Sequence, residues 1–350
     1  MCGADEVFLL ETSTAKRGTV KKLWTWRAKE HRELPEALRG SFDTTDDCKP
    51  AEDGSKVLIS SSGGGCALVE RPSGRVLWYA RVPNAHSLEL LPRGRVVAAS
   101  SEDAGGNRLI LFDLTHSDQP INETPLPSAH GVVWDEKGQR LWALGFAELR
   151  CYQLNGWEGE KPSLALATSY PLPDKGGHDL QPVPPSADLV LTTGRHVYLF
   201  DRNEGKLRLH PKLGSRAGVK CVSVHPVSGQ TACIQAGDEG WWSNALGFIS
   251  PADQIKLPGE RLSPTGGDGL NTGDCRRTER PWLTGKPTTA ARPAMVHAVL
   301  NLLVITLALA VGQRQSGGGR LSSWLSSVPP LQQHIDRCHQ SDADQRHHQD

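Results

Sequence analysis

The sequence predicts an all-β fold, a β-propeller, on two observations. A short polar motif ahead of a strand-like segment returns five times, at intervals of roughly 40 to 48 residues, the period of propeller repeats. Each copy is followed by three more short apolar segments divided by turn residues, which is the four-stranded pattern of a blade. Helical periodicity is absent from the repeats, which sets aside a helical solenoid.

The five motifs are Thr44-Thr45-Asp46-Asp47-Cys48, Asn84-Ala85-His86-Ser87, Ser128-Ala129-His130-Gly131, Gly176-Gly177-His178-Asp179 and Gly218-Val219-Lys220-Cys221. Second strands are expected at 56–59, 95–98, 140–143, 189–192 and 230–233, and third strands at 66–69, 109–112, 149–152, 197–200 and 246–249. Fourth strands follow at 76–79, 121–126, 164–170, 207–209 and 254–257. Upstream, 6–11 and 20–26 read as a hairpin that supplies the third and fourth strands of another blade. Residues 28–43 form a long charged loop with room for one helical turn. Five recognisable blades plus an incomplete sixth from the N-terminus therefore make the propeller domain, 1–262, whose closing strand is not visible.

Residues 263–350 change in character. They are rich first in Gly, Thr, Pro and Arg and later in Gln, Ser and His, and read as a low-complexity or disordered extension. Within it, 295–312 is an apolar helix candidate of borderline length for a bilayer. Membrane contact is expected only if that run is an anchor, and a divergent extension without a selected role is the preferred reading. The first residues carry neither the basic nor the apolar region of a signal peptide.

With 39 basic and 39 acidic residues there is no net charge to draw the chain to nucleic acid, and none is expected as a partner. The eight cysteines form no CxxC pair and read as buried thiols. Cys221 and Cys233 are the pair that neighbouring strands could bring face to face. No nucleophile elbow or phosphate loop is present.

The repeat alignment carries the site. The first strand of a blade lines the central channel, so a residue at its start stands at the channel mouth. His86, His130 and His178 hold that position in three consecutive blades, Lys220 holds it in the next and Asp46 or Asp47 in the first. Three converging imidazoles suit a divalent metal ion of the Zn, Mn, Fe or Ni type. Glu89 and Gln181, three residues further along their strands, are candidate additional ligands. Arg195 and Lys220 could hold a carboxylate or phosphate, and Trp241 and Trp242, in a polar loop, could stack on a sugar ring.

In combination, Thr45-Asp46-Asp47-Cys48-Lys49-Pro50, Pro83-Asn84-Ala85-His86-Ser87, Ala129-His130-Gly131-Val132-Val133-Trp134-Asp135, Gly177-His178-Asp179-Leu180 and Val219-Lys220-Cys221-Val222-Ser223-Val224-His225-Pro226 resemble an uncharacterised bacterial propeller family. The resemblance spans residues 5 to 262. It implies six blades and an exported (periplasmic or extracellular) origin, and supplies no activity.

The expected function is a monomeric ligand-binding propeller with a His-lined mouth for a divalent metal and a small anionic or saccharide ligand. A metal-assisted saccharide lyase, with Lys220 or His196 as base, is the alternative. A protein-interaction scaffold without metal is the second.

Overall fold

The computed structural model describes residues 1–16, 19–236, 243, 245–249 and 254–256. Five four-stranded antiparallel sheets follow in sequence. Blade one is β4 (Thr45–Ala51), β5 (Lys56–Ser61), β6 (Gly65–Glu70) and β7 (Val76–Arg81). Blade two is β8 (Ala85–Leu91) to β11 (Pro120–Pro125), and blade three is β12 (Gly131–Asp135) to β15 (Ser163–Pro171). Blade four runs from β16 (Leu180–Pro182) to β19 (Lys206–Leu209), and blade five from β20 (Val219–Val224) to β23 (Gln254–Lys256). A three-stranded N-terminal sheet, β1 (Cys2–Gly3), β2 (Glu6–Lys16) and β3 (Thr19–Trp26), is the sixth member. Its strand β1, pairing with β2, adds one strand to the expected hairpin.

Strand alternation explains the ring. Successive side chains point to opposite faces, and here both faces of each blade are buried against a neighbour. On β9 (Arg95–Ser100), Val96 and Ala98 join Trp78 and Leu68 of blade one, while Val97 and Ala99 join Leu141 and Tyr152 of blade three. The same division holds around the molecule. Val133 and Leu144 meet Leu189 and Phe200 between blades three and four, and Val190 and Val197 meet Val222 and Cys233 between blades four and five. The N-terminal sheet fills the remaining gap. Its Cys2, Val7 and Trp26 pack with Cys48, Val57 and Ile59 of blade one, and its Phe8 packs with Cys221, Ile234 and Leu246 of blade five. Six apolar junctions thus close six sheets into a propeller, and among the described residues each sheet has a packed junction on both faces.

This packing also separates Cys221 from Cys233. The first belongs to the junction with the N-terminal sheet and the second to the junction with blade four, so they lie on opposite faces of blade five. Their pairing register agrees, with Cys221 opposite Ile234 and Cys233 opposite Val222. The face-to-face expectation is corrected by the one-residue offset of that register.

The 28–43 segment holds more structure than a loop with one turn. It contains two 3-10 turns, Ala28–Glu30 and Gly40–Phe42, around a helical turn, Glu36–Arg39. Leu34, Leu38 and Phe42 are buried beneath it with Trp26. Its end is seated on the β5–β6 turn, where a side chain at Gly65 would meet the Phe42 ring within 2.6 Å. Residues 263–350, with the apolar run 295–312, lie outside the described residues, as do Trp241 and Trp242. Among the described residues no helix is long and apolar enough to cross a membrane.

Candidate functional site at the channel mouth

The first strands β4, β8, β12, β16 and β20 are sequential neighbours around the axis, so their starts converge. Two local devices aim the side chains there. The residue two positions before each of His86, His130, His178 and Lys220 is left-handed: Asn84 at φ 45°, Ser128 at φ 47°, Gly176 at φ 84° and Gly218 at φ 72°. Asn and Gly enter that region at little cost, and the turn they make swings the next residues inward. Asp46, His86 and Lys220 are also the extra residues of β-bulges, skipped in the pairing of Thr45 to Asp47, Ala85 to Ser87 and Val219 to Cys221. A bulge redirects one side chain out of the pleat, which is why bulges recur at functional sites.

The result is an imidazole cluster. His86 and His130 stack with ring centroids 4.1 Å apart and planes 23° apart. His178 lies 5.1 Å from His130 and 6.3 Å from His86. The Nδ1 atom of His130 is 2.9 Å from the Ser128 carbonyl oxygen. A carbonyl only accepts, so this nitrogen carries the proton and Nε2 keeps its lone pair. Ser101 Oγ lies 3.2 Å from the same Nδ1. His86 Nδ1 is 3.6 Å from the Asp46 carboxylate, which also accepts the Ser62 backbone N–H. Burial lowers the His130 pKa, so the ring is held neutral.

Two glycines allow the His-bearing strands to approach. A Cβ on Gly131 would fall 2.5 Å from Leu180 Cβ, and one on Gly177 would fall 2.3 Å from the Gly145 carbonyl oxygen. Gly131→Val is therefore expected to cost about 1–3 kcal/mol by overpacking and to part His130 from His178. Denaturant titration would show the first effect and altered His130 and His178 ring resonances in NMR spectra the second; a variant with unchanged stability would contradict the close approach.

Deeper in the channel lies a buried polar network that sequence reading resolved only in part. Lys49 Nζ stands 3.7 Å from both the Asp47 and Glu89 carboxylates and donates to the Val132 carbonyl at 2.5 Å, on the inner strand of blade three. Ser87 Oγ donates to Asp47 at 2.9 Å. Asp179 accepts Gln181 Nε2 at 3.0 Å and the Val222 backbone N–H at 2.9 Å. Glu89 and Gln181 are thus engaged along the strands, roughly 10 Å by strand rise from the histidines that precede them. Burial raises the pKa of all four channel carboxylates: Asp46 to about 8 and Asp179 to about 7, with Asp47 and Glu89 moved in the same direction. Lys49 and Asp179 were missed as site residues. Their signal is the repeat register, since Lys49 stands three residues after Asp46 as Glu89 does after His86, and Asp179 stands one after His178 as Asp47 does after Asp46.

The remaining candidates stand apart from the cluster to differing degrees. Lys220, half-buried, has its pKa lowered by burial and acts electrostatically on His130. His196, in the loop between β17 (Asp188–Thr192) and β18 (Val197–Asp201), has its Nδ1 2.8 Å from Oδ2 of Asp174, which precedes β16. Arg195, beside it, is exposed.

A ring of six blades with a polar axis defines a β-propeller with a candidate site at one mouth. The chain belongs to DUF6528, a family of unknown function, whose model matches residues 13–261. No curated protein matches it. Among solved structures it is similar to the Kuenenia stuttgartiensis hydrazine synthase, at 15% identity and a TM-score of 0.44, over 56% of this chain and 56% of that one. The chain therefore spans little more than half of that structure's length. Because 1288 solved chains match, likeness of fold says nothing of activity here.

Proposed function

We propose that the protein is a ligand-binding propeller whose mouth holds a divalent metal ion on His86, His130 and His178, and that the ion receives a small anionic or saccharide ligand. The observation that carries the reading is the meeting of three imidazoles from three consecutive blades, with centroids 4.1 to 6.3 Å apart. Imidazoles bound to one ion at about 2.0–2.1 Å have centroids roughly 4.5–5.5 Å apart, close to this spacing. The proton on His130 Nδ1 supports it further, because metal-bound histidines commonly donate their other N–H to a carbonyl or carboxylate. Asp46 Oδ1 stands 3.6 Å from His86 Nδ1, on the side from which it would support that ring once the ring turns.

As placed, the three rings do not form a ligating group. The stacked His86 ring must turn about χ2, a soft torsion, to aim its nitrogen at the shared point. Lys220 supplies positive charge for an anionic ligand, and Arg195 lies on the exposed β17–β18 loop. The test is metal content of the purified protein, wild type against the His86→Ala/His130→Ala/His178→Ala variant. The expected result is near one equivalent in the first and none in the second. Absence of stoichiometric metal from wild type reconstituted with divalent ions would sink the proposal, and metal retained by the triple variant would move the site elsewhere.

One observation favours a catalytic version. Burial lowers the pKa of Lys220 beside His130, which favours the free amine that a general base requires. A metal ion could neutralise a uronate carboxylate while that amine removed the adjacent proton. New C=C absorbance from uronate polymers, lost in Lys220→Met, distinguishes this enzyme from a binding protein.

A further inference from the structure

We propose that Cys48 and Cys2 form a peroxide-responsive thiol pair, with Cys48 the sulfur that is oxidised and Cys2 the thiol that resolves it. Strand β1 packs against inner strand β4. Their relation is fixed by Ala4, whose carbonyl accepts the Thr45 backbone N–H at 2.8 Å and the Thr45 hydroxyl at 2.9 Å. Both cysteines are buried in one apolar cluster, near enough for each thiol to shift the acidity of the other.

Two further features single out Cys48. It lines a cavity of about 30 Å³ together with Phe8, Trp24 and Val57. That space admits a molecule the size of water, and hydrogen peroxide is little larger. The neighbouring Cys2 thiol is the main cause that lowers the pKa of Cys48, whereas burial pushes Cys2, Cys66, Cys151 and Cys233 up. Thiolate character beside a second thiol is the arrangement that peroxide oxidises selectively.

The chemistry balances with hydrogen peroxide as the oxidant. The Cys48 thiolate attacks one peroxide oxygen, the O–O bond breaks, and sulfenic acid and hydroxide form. Cys2 sulfur then attacks the Cys48 sulfur, the S–O bond breaks, and the departing hydroxide leaves as water with the Cys2 proton. Two thiols have lost two electrons and two protons, and peroxide has become two waters. The disulfide would fasten the N-terminal sheet to blade one, at a junction where the ring closes.

Peptide mapping after peroxide treatment of the reduced full chain, with acid quench and alkylation under denaturing conditions, tests this. A Cys2–Cys48 cross-linked peptide and the loss of these two thiols from alkylation are expected. In Cys2→Ser, dimedone should label Cys48, because the sulfenic acid has lost its resolving partner. Cys2 and Cys48 still fully alkylated after other cysteines have oxidised, or Cys48 bonded to a different cysteine in wild type, would overturn the proposal. The wild-type map decides the matter even if the serine variant fails to fold.

Discussion

Lys49→Met is expected to lower stability by about 3–5 kcal/mol near pH 8, the cost of breaking a buried ion pair from one side. Lys49 is 6% exposed, and its ammonium is the cation against which both Asp47 and Glu89 are set. Its bond to the Val132 carbonyl also ties blade one to blade three across the channel. Methionine replaces the aliphatic stem, so what is lost is the charge and that bond. The loss should shrink as pH falls, because Asp47 and Glu89, already raised by burial, accept protons instead of facing each other as anions. Adding Asp47→Asn should recover part of the loss, since the two sites are coupled. Denaturant unfolding at pH 5 and pH 8 measures all three effects, and a cost below about 1 kcal/mol would mean that Lys49 behaves as a solvated surface lysine.

The second large effect is pH dependence through Asp46. Its carboxyl is raised by burial from 3.8 to about 8, against the opposing hydrogen bond from Ser62. A raised folded-state value means a contribution that is complete below about pH 4 and is lost as pH climbs through about 8. At about 1.4 kcal/mol per unit, the difference between wild type and Asp46→Asn should change by up to about 4 kcal/mol from pH 5 to pH 8. The change favours the asparagine variant at high pH. Asp179, raised to about 7, bends the wild-type profile in the same direction and is unchanged in the variant. Unfolding series run with chelator present would reveal the divergence, and parallel pH profiles would contradict the assignment.

Both effects arise from residues that a strand reader handles poorly, and the contrast with the blades explains what was legible. A blade strand is buried on both faces, and its Val, Leu and Ala runs between turn residues announce it, as in Val96-Val97-Ala98-Ala99. The histidine cluster was legible because the repeat places His86, His130 and His178 at one structural position, and the rings do meet. The inner strand has a third environment, the channel, that alternation does not encode. Lys49 and Asp179 read as ordinary polar residues and are among the most buried ionisable side chains of the described residues. The bulges at Asp46, His86 and Lys220 were illegible for a related reason, since an extra residue is defined by pairing with a strand elsewhere. Ser128 hid its left-handed conformation in a way that Gly176 and Gly218 did not, because serine is uncommon there.

The same limit applied to the closure of the ring. Composition beyond residue 262 offered no closing strand, yet apolar packing of Phe8 and Trp26 against blades five and one closes the circle on the sides of the N-terminal sheet. Closure is therefore a matter of junctions between sheets as well as of a shared strand.

The central claim is that three histidines on three blades hold one ion, and cobalt(II) titration tests it most directly. Visible ligand-field absorption reports the nitrogen ligands themselves, so it separates binding at the cluster from binding elsewhere. The prediction is saturation at about one equivalent, with the band altered in each of His86→Ala, His130→Ala and His178→Ala. A cobalt spectrum indifferent to all three substitutions, or no binding at all, would contradict it.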